Sequence, residues 1–303
     1  MFHDRMGRRA FGMGLVAALG LGLLSGQLFA GEKKTKVMII GGQNNHNWAA
    51  TTPLMADVLK KAGNFEVMVY NTPGDNTPAS GWDAWQPKFK DFDCIILDYN
   101  GQNWPERCQK DFLDFVSDGG GVVAIHAANN SFSGWKEYEK IIGMLWRGTE
   151  SGYSIYLDDD GKVVREEPGK GRGMGHGSTY DWVMTVRDKE NPITAGMPEK
   201  WMHKNDELYH GQRGPAKNMH ILLTAYSDPA PGRGGTGKNE PMVWWIPYGK
   251  GKVLVNLMGH APEPMKCVGF QTLLKRSCEW LATGKCSPLP ANFPKADKVS
   301  TVE

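Results

Sequence analysis

Three histidines each follow a run of apolar residues that is typical of a buried strand. His46 comes after KVMIIG, His126 ends the run GVVAIH, and His260 comes after KVLVNLMG. Imidazole suits proton transfer near neutral pH, and it also binds metals. One histidine at a strand end is most often a hydrogen-bonded structural residue. Three at three strand ends predict a shared site, because ligands of open parallel sheets bind beyond the carboxyl ends of the strands.

Indole and amide side chains near the same strand ends indicate a sugar as the ligand. Tryptophan faces stack on apolar sugar faces, and amides bind hydroxyl groups, although several of the 11 tryptophans must belong to the core. We expect catalytic roles for His126, Glu207 and His260. Substrate binding is expected of His46, Trp48, Asn103, Trp104, Asn129, His176, Asp206 and His210.

No motif in the sequence identifies a cofactor. A bound divalent metal such as zinc is one of the alternatives, and the sequence does not determine which residues would bind it. Glu207 and His210 would share one face of a helix and could both bind a metal, but the same residues also fit a polar loop. No CxxC pair is present, so a cysteine zinc site is not expected. Gly41-Gly42-Gln43 does not match GxGxxG, which disfavours a dinucleotide site.

The elements that must position these residues alternate between strands and helices. Four apolar runs in residues 36–127 lack polar alternation, and helical patterns separate them, which predicts a parallel sheet covered on both faces. We therefore expect an α/β fold, a flavodoxin-like three-layer sandwich with a mostly parallel sheet and helices on both faces. Residues 201–212 read as an irregular loop, residues 241–260 as a hairpin, and residues 267–284 as a final amphipathic helix.

The first 30 residues have the layout of an export signal. A short basic start precedes an apolar stretch of about 14 residues, too short for a comfortable membrane span, and cleavage is expected after Ala30. Arg8-Arg9-Ala10-Phe11 resembles a twin-arginine signal, and the alternatives are an ordinary secretory signal or an uncleaved anchor. The protein is therefore expected to be exported, to the periplasm or outside the cell.

The remainder of the chain carries 32 basic and 32 acidic side chains, so no nucleic-acid partner is expected. No later segment is apolar enough to cross a bilayer, and the oligomeric state is open. Residues 31–287 are expected to form one domain. Residues 288–303 contain few apolar side chains and are expected to form a loose tail.

Several segments together resemble the ThuA-like (trehalose-utilisation) family, a branch of the class I glutamine amidotransferase-like fold. The resemblance covers roughly residues 35–284 and rests on the order of the segments KVMIIGG, HNW, GGGVVAIHAA, the His176 loop, NPITAGMP, NDELYH and GKVLVNLMGH.

In the amidotransferases of that fold, a cysteine follows the fourth strand, and a later strand is followed by a histidine and a glutamate. Here His126 stands at the place of the cysteine, and His260 with Glu263 resembles the later pair. Without the thiol nucleophile, glutamine amidotransferase activity should be absent.

The resemblance implies a small-molecule carbohydrate ligand, such as trehalose or a keto sugar. The residues then predict acid–base or metal-assisted isomerisation or cleavage of a sugar. The alternative is a periplasmic sugar-binding module without catalysis, and a degenerate fold that binds other proteins is a third interpretation.

Overall fold

The structure is a computed structural model that describes residues 33–302. The predicted export signal at residues 1–30 therefore lies outside the described residues. None of the helices formed by residues 33–302 combines the length and apolar character needed to cross a bilayer.

The described residues form five helices and one sheet of 11 strands. The helices are α1 (Trp48–Ala62), α2 (Glu106–Ser117), α3 (Lys136–Ile142), α4 (Pro262–Met265) and α5 (Val268–Thr283). The strands are β1 (Thr35–Ile40), β2 (Phe65–Val69), β3 (Cys94–Leu97), β4 (Gly121–Ile125), β5 (Ser154–Leu157), β6 (Val163–Glu166), β7 (Tyr180–Val186), β8 (Lys200–Asp206), β9 (His220–Tyr226), β10 (Asn239–Tyr248) and β11 (Gly251–Asn256).

One half of the sheet is parallel and has the strand order β2-β1-β3-β4-β11. This is the flavodoxin-like order. Every residue of β3 and β4 is buried, which explains their unbroken apolar sequences. Helices α1 and α5 pack together beside this half, and α2 and α3 contact β11. The carboxyl ends of β1, β4 and β11 lie at one edge, so the loops that follow them meet there.

The other half of the sheet is antiparallel, so a mostly parallel sheet is not confirmed. Four strand pairings are parallel and six are antiparallel. A parallel connection needs a crossover, which is usually a helix. No α-helix is described between α3 and α4, and the strands in that interval join through hairpins and loops. The fold is therefore a mixed α/β fold.

The predicted hairpin and final helix are confirmed. Strands β10 and β11 pair antiparallel through the tight turn from Tyr248 to Gly251, and α5 begins and ends within one residue of its predicted bounds. The interpretation of residues 201–212 as an irregular loop was wrong for its first part. Strand β8 occupies that part and pairs with β7, and its buried Trp201 and His203 alternate with more exposed residues.

The C-terminal segment is held against the domain, contrary to the expectation of a loose tail. The Met202 amide donates a hydrogen bond to the Lys295 carbonyl, and the Val268 amide donates one to the Ser300 carbonyl, both at 2.8 Å. The ring of Phe293 also packs against Trp201. A short segment with few apolar residues is thus ordered by backbone pairing and a single aromatic contact.

Trp104 belongs to the core, so its predicted role in sugar binding is corrected. Its side chain is 2% exposed and packs among aromatic rings that include Phe89, Phe112 and Phe132. Trp104 follows β3 in the sequence, which places its backbone near the edge of the sheet. Its indole nevertheless points inward, because the aromatic cluster buries its large apolar surface.

Candidate functional site

His126 lies at the point where β4 ends and a helical turn, His126–Asn130, begins. Its backbone has a φ of +46°, which is uncommon for a residue with a side chain. The Nδ1 atom lies 2.8 Å from the carbonyl oxygen of Leu257, which can only accept a hydrogen bond. In the neutral ring Nδ1 therefore carries the proton, and the lone pair of Nε2 points to the opposite side.

Two further side chains meet Nε2 of His126 there. His46, in the loop after β1, places its Nε2 at 3.3 Å, and Glu207, directly after β8, places its Oε2 at 3.3 Å. The Nε2 of His46 and the Oε2 of Glu207 are 3.5 Å apart. We call these three residues the His–Glu cluster. Its members come from three distant parts of the chain and enclose one small volume.

His260 stands next to the His–Glu cluster and is oriented by Asp206. Its ring centre is 6.1 Å from that of His126, and its Nδ1 donates to Oδ1 of Asp206 at 2.6 Å. Asp206 is fully buried at the end of β8 and accepts four other hydrogen bonds. The donors are His203 Nε2 and the backbone amides of Glu207, Gly259 and His260.

The charges around Asp206 are fixed by these contacts. Burial raises the pKa of its carboxyl, but hydrogen bonds from His203 and His260 outweigh burial and hold the pKa far below its usual range. Burial lowers the pKa of His203, but Asp206 reverses this and raises it to about 9. Burial also lowers the pKa of His260, but the hydrogen bond to Asp206 leaves it raised. Asp206 therefore remains ionised and favours the protonated form of His260.

The pKa values of Glu207 and His126 are both lowered, but for different reasons. Burial raises the pKa of the Glu207 carboxyl, but the adjacent imidazoles of His126 and His46 lower it well below its usual range. Burial lowers the pKa of His126, and this effect exceeds the opposing effect of Glu207. The site thus pairs a carboxylate with a neutral imidazole whose lone pair is available.

The His–Glu cluster opens into a cavity of about 250 Å³. Three larger clefts, of about 510, 420 and 310 Å³, lie beside Phe89, Met68 and Phe115, and no histidine lines any of the three. The ring of Trp146 is centred 4.5 Å from that of Tyr209 and forms an aromatic wall. The lining residues of the cavity are Asn45, His46, Ala127, Asn130, Trp146, His176, Glu207 and Tyr209.

Five predicted site residues come together around this cavity. They are His46, His126, His176, Glu207 and His260. Nδ1 of His176 lies 3.8 Å from the second carboxylate oxygen, Oε1, of Glu207.

Other predicted residues lie elsewhere. Asn129 is fully buried and donates to Gln212 rather than to a ligand. Asp206 is equally inaccessible, so it positions His260 and does not bind substrate. Trp48, half-buried at the start of α1, and Asn103, exposed after β3, are not among the lining residues.

His210 and Glu263 also depart from the predicted site. The stretch from Glu207 to His210 is not helical, and Nδ1 of the buried His210 lies 3.3 Å from the hydroxyl of Ser227. Of the two alternatives that the sequence leaves for Glu207 and His210, the helical metal pair is therefore not formed, and the stretch is a loop. Glu263 is half exposed and forms an ion pair with Lys204, so it does not accompany His260 in the site.

Sequence reasoning missed Trp146 and Tyr209 as the aromatic wall. Trp146 follows a helix instead of a strand, so no strand-end argument points to it. Tyr209 is two residues after Glu207 and was treated only as part of a polar loop. Asn130, adjacent to the predicted Asn129, is the amide that reaches the cavity.

This arrangement can hold a small polar molecule and move protons on it. The lining of the cavity combines a carboxylate and imidazoles with aromatic rings and amides. A carboxylate beside a proton-bearing imidazole is a suitable pair for general acid–base catalysis.

A family model described as "ThuA: Trehalose utilisation" matches residues 36–281. A ThuA-like protein of known structure from Parabacteroides merdae is 38% identical, with a TM-score of 0.83, and the match covers 89% of this chain and 98% of that chain. A second from Bacteroides uniformis is 19% identical, with a TM-score of 0.58, covering 84% of this chain and 96% of that chain, and it shows the fold alone. No curated protein matches the chain.

Proposed function

The chain belongs to the ThuA family, described as trehalose utilisation, and from this membership we propose that its cleft performs acid–base chemistry on a carbohydrate. The observation that carries the proposal is the convergence of His126 and His260 on Glu207, whose carboxylate lines a solvent-reachable cavity. A molecule that only binds sugar needs the aromatic wall and amides. It does not need a buried aspartate that holds a neighbouring imidazole in its protonated form.

The proposed substrate is a keto sugar, because a carbonyl acidifies the C–H bond of the neighbouring carbon. Glu207 accepts that proton, the C–H electron pair forms a carbon–carbon double bond, and the carbonyl oxygen takes a proton from His260. The product is an enediol. In an isomerisation, Glu207 returns its proton to the former carbonyl carbon while the other hydroxyl of the enediol gives its proton to His260, so that a new carbonyl forms and both residues are restored. In a cleavage, the enol hydroxyl returns its proton to His260 and the carbonyl re-forms, while the glycosidic oxygen on the next carbon leaves with the C–O electron pair and takes the proton from Glu207.

Each residue has one role in this scheme. Glu207 is ionised and 15% exposed, so its carboxylate is available as the base. His260 is kept protonated by Asp206, which makes it the donor. His126 contributes an imidazole lone pair beside the Glu207 carboxylate, and Asp206 is a positioning residue because it contacts only protein groups.

The size of the cavity favours one sugar ring over a longer oligosaccharide. Its volume of about 250 Å³ lies just below the range of roughly 300–1,000 Å³ that is usual for small-molecule sites. The ring pair Trp146 and Tyr209 would stack on the apolar face of that sugar, while Asn45 and Asn130 would bind its hydroxyl groups.

Glutamine hydrolysis is not part of the proposed function. That reaction needs a thiolate at the turn after the fourth parallel strand, and here His126 occupies the turn. Four of the five cysteines, Cys94, Cys108, Cys267 and Cys278, are buried, and none of the five lines the cavity.

The test is product analysis on a panel of sugars and their keto forms. The parent protein should convert a keto sugar, Glu207→Gln should not, and Glu263→Gln, a half-exposed glutamate outside the cleft, should act like the parent. Calorimetry with the same panel completes the test. Sugar binding without any product, and with equal affinity in the Glu207→Gln variant, would overturn the enzymatic proposal in favour of a binding module.

We also propose that the protein is exported. The support is the basic, apolar and small-residue order of residues 1–30, which matches a secretory or twin-arginine signal. Expression of the full chain in a bacterial host should yield extracytoplasmic protein that begins at Gly31. Recovery of the intact N-terminus in the cytoplasmic fraction alone would contradict this.

A further inference from the structure

The hydrogen-bonding groups of the His–Glu cluster do not satisfy one another. With Nδ1 of His126 donating to Leu257, its Nε2 is an acceptor, and Oε2 of the ionised Glu207 is another. Nε2 of His46 can supply one proton to only one of them. At least two lone pairs therefore face each other at 3.3 Å, an arrangement that a cation would stabilise.

The spacing of the three atoms matches a metal ion. They are separated by 3.3, 3.3 and 3.5 Å. Tetrahedral zinc with bonds of about 2.0–2.1 Å places its ligand atoms roughly 3.3–3.4 Å apart. Two histidines and one carboxylate are also a ligand set that leaves coordination positions open for water or substrate.

The surroundings of the cluster resemble those of a metal site. A histidine that binds metal through one ring nitrogen normally donates from the other, as His126 does to Leu257. The backbone amide of Glu207 donates a hydrogen bond to Oδ1 of Asp206, and this bond fixes the backbone position from which the Glu207 side chain extends. Within residues 33–302, neither Nδ1 of His46 nor Nδ1 of His176 has a hydrogen-bond partner, although both atoms are buried, so polar atoms remain available in the same cleft.

We propose that His46 Nε2, His126 Nε2 and Glu207 Oε2 bind one divalent transition-metal ion, with zinc as the best fit. The open side of this site faces the cavity lined by Asn45, Asn130 and Tyr209. A sugar carbonyl, or a carbonyl and its neighbouring hydroxyl, would enter there. The ion would polarise that carbonyl and so acidify the adjacent C–H bond.

This site rests on the proposed function and deepens it, because the ion would assist His260 in activating the carbonyl. Only Oε2 of Glu207 is assigned to the ion. Oε1, on the side of His176, stays free to accept the substrate proton.

The test uses untagged protein, freed of metal with a chelator and titrated with zinc, manganese, iron(II) and magnesium salts by calorimetry, followed by elemental analysis. We expect one zinc ion per chain. His46→Ala and Glu207→Gln should each weaken zinc binding by at least about 100-fold. His220→Ala, which removes a histidine that stacks on Trp245 outside the cleft, should leave it unchanged.

Circular dichroism and thermal unfolding establish that each variant is folded, and the nearly isosteric Glu207→Gln gives a readout if His46→Ala does not fold. Zinc bound equally well by parent and variants, or not bound at all, would overturn the metal site. Stoichiometric zinc that is lost in the variants, without turnover of any sugar, would support the site and sink the proposed function. Full turnover by zinc-free protein would support the proposed function and overturn the role of the metal ion in it.

Discussion

The Nε2 atom of His126 lies 3.3 Å from the Oε2 atom of Glu207, although 81 positions separate the two residues. The contact exists because β4 and β8 end on the same side of the molecule. It joins the residue at the sharp turn after the parallel strand to the carboxylate that follows the antiparallel strand. The predictions below follow from this contact and from the groups that support it.

Replacement of His126 by asparagine should remove activity and keep the fold. Asparagine tolerates the positive φ at this position and can still donate to Leu257, but it offers no imidazole lone pair to the cluster. Turnover of a keto sugar should fall by roughly 100-fold or more. Steady-state kinetics and a thermal melt measure the two effects, and retention of parental turnover would remove His126 from the mechanism.

Replacement of Asp206 by asparagine should destabilise the protein strongly. Against the effect of burial, Asp206 together with Cys267 raises the pKa of the buried His203 to about 9, so the variant removes the carboxylate that pairs with this buried charge. The cost should be about 3–5 kcal/mol at pH 7, measured by urea unfolding. Asp118→Asn, which breaks an exposed pair with Lys90, should cost less than about 1 kcal/mol. Equal stability of the two variants would contradict the assignment.

Replacement of Trp146 by alanine should weaken sugar binding with little effect on stability. Its ring borders the cavity, whereas Trp135 packs beside Phe132 and Tyr138 in the core. We expect Trp146→Ala to raise the dissociation constant roughly tenfold, which is about 1.4 kcal/mol. Trp135→Ala should instead lower the melting temperature and leave affinity unchanged. The reverse pattern in calorimetry and thermal melts would reject the aromatic wall.

Replacement of Glu240 by glutamine should change how stability depends on pH. Burial is the main cause that raises the pKa of this carboxyl to about 7, and the nearby charge of Glu166 acts in the same direction. Hydrogen bonds from Thr236 and Gly211 and the charge of Lys238 oppose the increase without cancelling it. In the unfolded chain the Glu240 carboxyl ionises at lower pH than in the folded protein. The free energy of unfolding of the parent therefore falls as the pH rises to about 7. Glu240→Gln cannot ionise and should be more stable than the parent at pH 8 by up to about 3 kcal/mol, with no advantage at pH 4.

The control for Glu240 is Glu263→Gln, because Glu263 is half exposed and paired with Lys204. The free energy of unfolding of Glu263→Gln should differ little from that of the parent throughout the pH range. Urea unfolding at pH 4, 6 and 8 gives the comparison, and parallel curves for parent and Glu240→Gln would show that the carboxyl titrates normally.

The strand-end histidines could be predicted because the strands that carry them are wholly apolar and therefore easy to recognise. Parallel neighbours bring their carboxyl ends to one edge, so the meeting of His46, His126 and His260 follows from topology. Trp104 shows the limit of this reasoning. Its position after β3 is similar, but the direction of a side chain depends on packing partners far away in sequence, such as Phe132.

The polar segment KWMHKND could not be recognised as a strand from its composition. It forms β8 at the end of the sheet order, where only alternate residues such as Trp201 and His203 are buried. The roles of Asp206 and Glu207 depend on where that strand stops. One carboxylate turns into the core and the other into the cavity, and no local pattern distinguishes the two neighbours.

The most direct test of the account is solvent deuterium exchange, followed by proton NMR, at the carbon next to the carbonyl of a keto sugar. The parent protein should exchange that hydrogen at least about 100-fold faster than Glu207→Gln, since the Glu207 carboxylate is the proposed proton acceptor. Equal exchange by parent and Glu207→Gln, with both folded and both binding the sugar, would contradict proton transfer in this cleft.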